Sequence, residues 1–460
     1  MINFIGRAKE KKKLHDMLDV AGLQACLIYG RRRVGKSELI KQILRETDMT
    51  VIYYECKQTT EQNNVESLAA IISEVWSLPK LSFSGIEETL DYIFKQSMTE
   101  PIVLVLDEYS YLRDKAAGLD SIMQVLIDKY KDDANLKLII CGSYIGIMKS
   151  LLEKNNPLYG RIDLSINLKP MDYLESALFY PGFSNVDKVR MYSVFGGIPY
   201  YNRLVNDKKS VRDNIMFLLT SPGSRLENEV PIYLRSEISK ITNANEVFEA
   251  LAAGYSRFND ILSQSHVSSS PTLADVLDRL IKMEIVIKQA PINDEHNKKK
   301  MGYRIIDNLS LYYYRYIYRY LSQRSIMDPE VFYDRFISDD FEAKYVPHIF
   351  EDVCRQYLIL QNRAGKLPVI FEKIGKYWYD DPVHKKNGEF DIVTEDSEGY
   401  IPYEVKFRKD PLSSSMIETE VKQVKESGLR CYKYGFIARS GFEAEPADNM
   451  IFITLDDIFK

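Results

Sequence analysis

The sequence is poor in cysteine and histidine, and it lacks both a long apolar run and a strong excess of charge. Its five cysteines are scattered and form no CxxC pair and no evident zinc cluster with the five histidines. This usage fits a reducing, cytoplasmic setting best. No apolar run reaches the roughly 18 residues that a spanning helix needs, so we expect no membrane partner.

The low net charge of −5 provides no global basic field, so any contact with DNA must come from local patches. Residues 1–13 contain no apolar core before their basic run, and we therefore expect no signal peptide. The composition, 45% hydrophobic and 28% charged, is that of a soluble globular protein. A length of 460 residues predicts about three domains.

The first ~165 residues alternate short apolar runs with amphipathic helical stretches. Such alternation predicts an α/β fold in which helices cover a parallel sheet. The buried strands are predicted at Leu27–Tyr29, Val51–Tyr54, Ile102–Leu106 and Leu136–Cys141.

A glycine-rich segment after the first strand matches GxxxxGK[ST], and a helical pattern follows it. Its glycines allow the backbone N–H groups to surround phosphates, and the helix N-terminus adds a positive dipole. We expect the lysine to reach the β- and γ-phosphates of ATP and the serine hydroxyl to bind Mg²⁺. The predicted phosphate-binding residues are Gly30, Arg31, Arg32, Arg33, Val34, Gly35, Lys36 and Ser37.

Two acidic residues end the strand that lies about 70 residues after this loop. We expect Asp107 to hold Mg²⁺ through its water shell and Glu108 to orient or polarise the attacking water. The strand at Leu138–Cys141 ends at Ser143, which either senses the γ-phosphate or belongs to a simple turn.

These residues resemble the archaeal-type P-loop ATPases, which are AAA-related members of the STAND class. The resemblance extends to Phe4–Arg7 with Glu10, to Pro157–Arg161 (PLYGR) and to Gly196–Tyr200 (GGxPxY). It implies a helical lid after the nucleotide domain, followed by a winged helix. It also implies that Arg161 acts on the γ-phosphate, in its own chain or in a neighbouring copy of a homo-oligomer. The alternative is a loop arginine that caps a helix.

The pattern of residues 241–307 is three short helices followed by a hairpin, which is typical of a winged helix-turn-helix. Helices are predicted at Asn245–Ala253, Phe258–Gln264 and Thr272–Met283, and extended runs at Ile285–Ala290 and Gly302–Ile306. The loop between the extended runs ends in Lys298–Lys300, which could contact DNA phosphates. The alternatives are a solvated hairpin tip and a module that packs against the nucleotide domain.

The last ~115 residues form a separate α/β pattern, with a helix at Val346–Gln361 and then strands. The strands are predicted at Val369–Phe371, Phe390–Thr394, Tyr400–Phe407, Lys433–Ala438 and Met450–Ile453. A hairpin would bring Asp391 beside Glu404, and strand alternation places Lys406 on the face of Glu404. Two such carboxylates can hold divalent ions, with an ammonium to activate water or to steady phosphate charge.

Glu351 on the preceding helix could add a third carboxylate to Asp391 and Glu404. This order of helix Glu, strand Asp and strand ExK resembles the restriction-endonuclease-like PD-(D/E)xK nucleases. It also resembles the domain of unknown function that follows archaeal-type ATPases. Phe390 replaces the usual proline before the strand aspartate. A surface hairpin with a Glu–Lys pair is the alternative.

The predicted organisation has five parts. They are a P-loop ATPase core (1–165), a helical lid (166–240), a winged helix (241–307), a helical linker (308–345) and a nuclease-like domain (346–460). The first functional hypothesis is a Mg²⁺-dependent ATP switch that controls a DNA-directed nuclease. The second is a STAND-type signalling scaffold whose nuclease-like domain only mediates interactions.

Overall fold

The computed structural model of the protein describes residues 4–238, 243–381 and 386–460. The chain separates into two units, one of residues 1–171 with 198–200 and the other of residues 172–197 with 201–460. The predicted boundary between residues 240 and 241 lies outside the described residues, and the division into five domains stays a prediction.

The first unit contains a five-stranded sheet in which every pairing between the described strands is parallel, with the strand order β2-β3-β4-β1-β5. The predicted parallel α/β sheet is therefore confirmed. The fifth strand was not expected from the sequence, because only Ile166 of its four residues is buried and no apolar run marks it. The strands are β1 Gln24–Tyr29, β2 Thr50–Glu55, β3 Ile102–Asp107, β4 Leu136–Gly142 and β5 Leu164–Asn167.

Seven helices accompany this sheet within the described part of the first unit. The apolar faces of the last five of them share one buried core with the sheet, which includes Leu27, Leu104 and Leu138 on the strands and Leu68 and Leu90 on the helices. The helices are α1 Ala8–Asp19, α2 Lys36–Leu44, α3 Glu61–Val75, α4 Ile86–Gln96, α5 Tyr109–Lys115, α6 Leu119–Tyr130 and α7 Ile145–Ser150.

The chain after residue 171 is largely helical until the C-terminal sheet begins. Its first helices are α8 Tyr173–Ala177, α9 Asn185–Phe195, α10 Pro199–Asn202, α11 Val211–Ile215 and α12 Glu229–Ile238. Those after the hairpin are α16 Asn308–Tyr312, α17 Leu321–Ile326, α18 Pro329–Phe336, α19 Ser338–Asp340, α20 Val346–Arg363, α21 Ser414–Glu426 and α22 Leu455–Ile458. Single π-helical turns occur at Met216–Thr220, Tyr313–Ile317 and Phe341–Tyr345.

Three helices and a hairpin lie between these two groups. The helices are α13 Ala244–Ala252, α14 Phe258–Gln264 and α15 Ser270–Lys282, and the antiparallel strands are β6 Val286–Gln289 and β7 Gly302–Ile305. The third helix begins two residues before its predicted start because Ser269 caps it, accepting a hydrogen bond from the Thr272 amide.

The C-terminal sheet has five strands in the order β12-β11-β10-β9-β8. The β8–β9 and β9–β10 pairs are antiparallel, and the β10–β11 and β11–β12 pairs are parallel. Ile417 and Val424 of α21 pack with Phe390 and Phe436 of the sheet in one core. The strands are β8 Lys373–Asp381, β9 Lys386–Asp396, β10 Gly399–Lys406, β11 Tyr434–Ala438 and β12 Met450–Thr454.

The predicted strand at Val369–Phe371 is wrong. The Asn362 side chain holds the amide and the carbonyl of Phe371, at 3.0 and 3.1 Å, in a loop. The strand begins instead at Lys373. This strand was not predicted because Gly375 and two lysines interrupt its apolar residues. A β-bulge also lies between Gly375 and Tyr377.

The loop between β6 and β7 lies along the outer edge of β8. The Ile292 amide donates to the Lys376 carbonyl at 2.8 Å. The Asn293 side chain pairs with the Trp378 backbone, donating at 2.7 Å and accepting at 3.1 Å. Ile292 also joins the core of the C-terminal sheet. The hairpin loop is therefore continuous with that sheet.

Charged groups reinforce this contact. Lys373 pairs with Glu295 at 3.3 Å, and the Arg257 guanidinium lies 4.8 Å from the centre of the Trp378 ring. Lys300, which the sequence suggested as a DNA contact, pairs with Asp294 at 2.9 Å. The hydrogen bonds from Lys300 hold the pKa of Asp294 below its usual value. The side chain of Lys298 lies outside the described part of the structure.

We expect Asn293→Ala to loosen the edge of β8, because it removes both hydrogen bonds to the Trp378 backbone. Two neutral hydrogen bonds at a partly exposed site contribute about 1–2 kcal/mol, so local amide exchange should speed up about 5- to 30-fold. Hydrogen–deuterium exchange of the peptide containing Trp378 measures this. His296→Ala, an exposed residue of the same loop, is the control. Unchanged exchange in Asn293→Ala would show that the loop does not hold the edge.

Candidate functional site

The phosphate loop lies between β1 and α2, and two glycines give it its path. Gly30 has a φ of 156°, and a Cβ there would lie 2.3 Å from the Leu168 carbonyl oxygen. Gly35, with a φ of 97°, is the left-handed residue that precedes α2. Residues with side chains are strained in both conformations, which explains why the motif needs glycine at these two positions.

Lys36 is the first residue of α2 and is only 5% exposed. Its ammonium donates to the carbonyl oxygens of Gly30 at 2.9 Å and Arg31 at 3.0 Å. These bonds hold the ammonium charge within the loop, beside the N-terminus of the helix. Both charges attract an anion to the same place.

Ser37 and Asp107 meet although they lie 70 residues apart. The Ser37 hydroxyl donates to Oδ2 of Asp107 at 2.6 Å, and the carboxylate is buried. Oδ1 of Asp107 accepts from the Glu108 amide at 3.0 Å. The structure thus brings together the two side chains that the sequence suggested for Mg²⁺.

Tyr53 completes this group, and the sequence did not identify it. Its hydroxyl donates to Oδ2 of Asp107 at 2.5 Å. Burial and this bond raise the pKa of Tyr53 above its usual value. Tyr53 is opposite Val105 in the sheet, so it shares a face with Asp107 two residues further along β3. The contact between Tyr53 and Asp107 could be predicted only if β2 and β3 were known to be neighbours, and a single sequence does not reveal strand order.

Glu108 and Ser143 also meet, at the ends of the adjacent strands β3 and β4. The Ser143 hydroxyl donates to the two carboxylate oxygens at 3.0 and 2.9 Å, and its amide donates at 3.2 Å. Glu108 has a left-handed backbone, with a φ of 53°, which turns the chain sharply from β3 into α5. The side chain suggested for water and the one suggested for the γ-phosphate are therefore in direct contact.

Arg161 has a different environment. Its guanidinium forms two bonds to the carboxylate of Asp128 on α6, at 2.8 and 2.7 Å, and donates to the Pro157 carbonyl at 3.0 Å. Hydrogen bonds from Arg161 hold the pKa of Asp128 below its usual value. The described contacts of Arg161 thus lie at α6 and within its own loop, and its role toward the γ-phosphate stays a prediction.

Part of the segment that resembles GGxPxY lies against the phosphate loop. Ile198–Tyr200 belong to the first unit although the residues on either side belong to the second. The Pro199 ring lies 3.8 Å from the position of a Cβ on Gly35, and the Arg33 guanidinium stacks 4.0 Å from the centre of the Tyr200 ring. No pattern in the sequence predicted this contact, since about 160 residues separate the two segments.

The C-terminal sheet brings Asp391 and Glu404 together. Tyr403 is opposite Ile392 in the antiparallel β9–β10 ladder, so the next positions place Glu404 opposite Asp391 on the other face. Burial raises the pKa of Glu404, and the charges of Glu420 and Asp391 act in the same direction.

Two lysines neutralise these carboxylates. Lys406 pairs with Glu404 and, at 3.1 Å, with Glu420. Lys376 pairs with Asp391 at 2.8 Å and with Glu389 at 2.6 Å. The sequence did not identify Lys376 or Glu420. The β-bulge in β8 and the packing of α21 bring them here, and neither feature has a local sequence signal.

Glu351, the third carboxylate suggested for this site, interacts with His348, and their atoms Oε2 and Nδ1 are 3.5 Å apart. Among the described residues, no group of three or more histidine, cysteine, aspartate or glutamate side chains is arranged to hold a metal ion. Glu351, Asp391 and Glu404 therefore do not form a three-ligand metal site here.

No helix in the described ranges is long and apolar enough to cross a membrane.

Comparisons with known proteins match two separate parts of the chain. Residues 4–205 match a family described as an ATPase domain found predominantly in Archaea. Residues 313–424 match a family of archaeal and bacterial proteins of unknown function. An uncharacterized protein of Methanocaldococcus jannaschii is 28% identical over 467 residues, covering 99% of both chains.

Two solved structures were also found to match part of this chain. The Walker-type ATPase of Pyrococcus abyssi matches 68% of this chain and 96% of its own, with a TM-score of 0.51 and 21% identity. The ORC2 protein of Aeropyrum pernix matches 68% of this chain and 94% of its own, with a TM-score of 0.43 and 13% identity. With the ATPase-domain match over residues 4–205, the phosphate loop and the parallel sheet lead to one conclusion: the protein is a P-loop ATPase.

Proposed function

We propose that the protein is a Mg²⁺-dependent ATP switch whose nucleotide state controls a nuclease-like activity of the C-terminal sheet. The convergence of Lys36, Ser37 and Asp107 carries the ATP part of this proposal, because it joins a phosphate-binding loop to a buried carboxylate. The neighbouring pair of Glu108 and Ser143 supplies groups that can act on the γ-phosphate.

The residues at the loop fit Mg²⁺. A hydroxyl and a carboxylate 2.6 Å apart are the oxygen donors that this ion prefers, and Ser37 lies at the start of the helix that follows the loop. Ser37 and Asp107 would hold the ion, the latter through water. When bound, Mg²⁺ neutralises charge on the phosphates.

The residues of the chain have separate roles in hydrolysis. Lys36 binds the β- and γ-phosphates, and the loop amides fix their orientation. Glu108 orients the water that attacks the γ-phosphorus, and the bond from that phosphorus to the β–γ bridging oxygen breaks. Ser143 holds the Glu108 carboxylate. We infer that this contact must change for Glu108 to orient water, and Ser143 then becomes free to reach the γ-phosphate.

We expect Lys36→Ala to weaken ATP binding about 10- to 100-fold, because it removes a charge-assisted contact to the phosphates. Glu108→Gln should bind ATP normally but stop turnover, because the amide cannot polarise water. Titration with a fluorescent ATP analogue and a phosphate-release assay separate the two effects. Glu55→Gln is the matched control, since it neutralises an exposed carboxylate on the residue opposite Asp107 in the β2–β3 register. If Glu108→Gln hydrolysed ATP at the wild-type rate, Glu108 would not have the role proposed for it.

For the C-terminal sheet we propose phosphodiester hydrolysis at Asp391, Glu404 and Lys406. Two carboxylates on adjacent strands fit a divalent ion, which supplies a polarised water when it is bound. Lys406 would steady the charge that develops on the phosphate. Because Lys376 and Lys406 already neutralise both carboxylates, an ion must compete with these ammonium groups.

The second candidate is a STAND-type scaffold in which this sheet only mediates interactions. The pairing of each carboxylate with a lysine favours it, because such pairs also occur as purely structural networks. Either candidate can include contacts to DNA phosphates through the loop at 298–300. Lys300 would contribute little to them, since its ammonium is already paired with Asp294. A homo-oligomer in which Arg161 serves a neighbouring copy is also part of the proposal.

Mn²⁺ should raise the thermal midpoint of the full chain, because a ligand that binds only the folded state stabilises it. We expect Asp391→Asn to reduce this shift and to abolish cleavage of plasmid or oligonucleotides. Lys406→Ala should abolish cleavage while metal binding persists, since an ammonium is not a ligand. Glu389→Gln, which loses a similar bond to Lys376, is the matched control. Metal binding without cleavage of any nucleic acid would favour the scaffold.

A further inference from the structure

Two hydroxyls donate to the same oxygen of the Asp107 carboxylate. The Tyr53 hydroxyl lies 2.5 Å from Oδ2, and the Ser37 hydroxyl lies 2.6 Å from it. The other oxygen, Oδ1, accepts from the Glu108 amide at 3.0 Å. Because a carboxylate oxygen directs two lone pairs, the two hydroxyls use the hydrogen-bonding capacity of Oδ2 in full.

The two hydroxyls come from different parts of the site. Ser37 belongs to the phosphate loop motif and is the side chain expected to bind Mg²⁺ directly, whereas Tyr53 lies on β2, outside the motif. A phenol is protonated at neutral pH, so Tyr53 is the donor in its bond to the ionised carboxylate. The Lys41 ammonium of α2 lies 5.3 Å from the centre of the Tyr53 ring, which helps to keep the ring in place. The bond from Tyr53 is therefore formed before any ion binds.

Mg²⁺ and Ca²⁺ differ in how they bind a carboxylate. Mg²⁺ loses its waters reluctantly and keeps several of them in a protein, whereas Ca²⁺ takes carboxylate oxygens directly, one or both at a time. Contact of Ca²⁺ with both oxygens of Asp107 would displace the hydroxyl of Tyr53 or Ser37 from Oδ2. A water of the Mg²⁺ shell needs only one lone pair of Oδ1, and both hydroxyl bonds stay intact. The arrangement at Oδ2 thus costs Ca²⁺ more than it costs Mg²⁺.

We propose that Tyr53 is a specificity-determining residue of the ATP site, which favours Mg²⁺ over Ca²⁺ as the ion that binds together with the nucleotide. By occupying Oδ2, its hydroxyl restricts Asp107 to contact with the ion through water. Tyr53 acts through Asp107 and is therefore a positioning residue. The inference rests on the proposed Mg²⁺-dependent binding of ATP at this loop.

The test measures how strongly Mg²⁺ and Ca²⁺, each titrated alone, promote binding of a fluorescent, non-hydrolysable ATP analogue to the full chain. Tyr53→Phe removes the donor and keeps the ring, so the ratio of the Mg²⁺ affinity to the Ca²⁺ affinity should fall about 10-fold. The ratio is the informative quantity, because a carboxylate that has lost a donor attracts both cations more strongly. The affinity of the analogue itself for each ion is the same in every titration and cancels between variants. Following the nucleotide keeps any ion bound at the C-terminal sheet out of the measurement.

The next residue of β2 provides a matched control. Tyr54→Phe also removes a phenol hydroxyl, but this hydroxyl donates to Oδ1 of Asn64 at 2.5 Å instead of to Asp107. Strand alternation places the Tyr54 side chain on the opposite face of the sheet, in the buried core. The ratio in Tyr54→Phe should therefore equal that of the wild type. Binding of the analogue without a divalent ion should be unchanged in Tyr53→Phe, which would show that the phosphate loop is folded.

Each alternative result has a separate meaning. An unchanged ratio in Tyr53→Phe would overturn the inference, and so would an equal fall in Tyr54→Phe, because the effect would then not depend on Asp107. Loss of binding without a divalent ion in Tyr53→Phe would also overturn it, since Tyr53 would then support the fold of the loop. If neither ion promoted binding to the wild type, the proposed Mg²⁺-dependent function would fail. That result differs from a failure at Tyr53 alone, in which the wild type still prefers Mg²⁺.

Discussion

The carboxylate of Asp107 joins three segments that are distant in sequence. It accepts hydrogen bonds from Ser37 at the start of α2 and from Tyr53 on β2, while it ends β3 itself. An unpaired buried carboxylate would cost several kcal/mol, so the fold must keep these donors in place. The position of the loop relative to the sheet depends on this requirement, and so does the contact of Glu108 with Ser143 on the next strand.

The predictable elements were those with a local signal in the sequence. β1 to β4 are recognisable because each has a run of apolar residues, and the phosphate loop because glycine is required at two strained positions. The hairpin that joins Asp391 to Glu404 is local as well. β5 and β8 were not predicted because their residues are partly polar and form no apolar run. They are strands because each pairs with a neighbouring strand.

The site was only partly predictable for a similar reason. Residue types and spacing identified Lys36 and Asp107, since phosphate binding at such a loop requires a lysine and Mg²⁺ binding requires an acid. Tyr53 and Lys376 act through contacts that depend on strand order and on a bulge. Arg161 has a plausible sequence motif, but its contact with Asp128 is set by packing on α6. A single sequence contains neither strand order nor helix packing.

The hairpin loop on β8 has a consequence for association between chains. A strand at the end of a sheet offers free amide and carbonyl groups, which another polypeptide can extend into a shared sheet. Ile292 and Asn293 occupy these groups at Lys376 and Trp378. The loop between β6 and β7 thus shields this edge of the sheet from strand exchange and aggregation, as long as it stays attached.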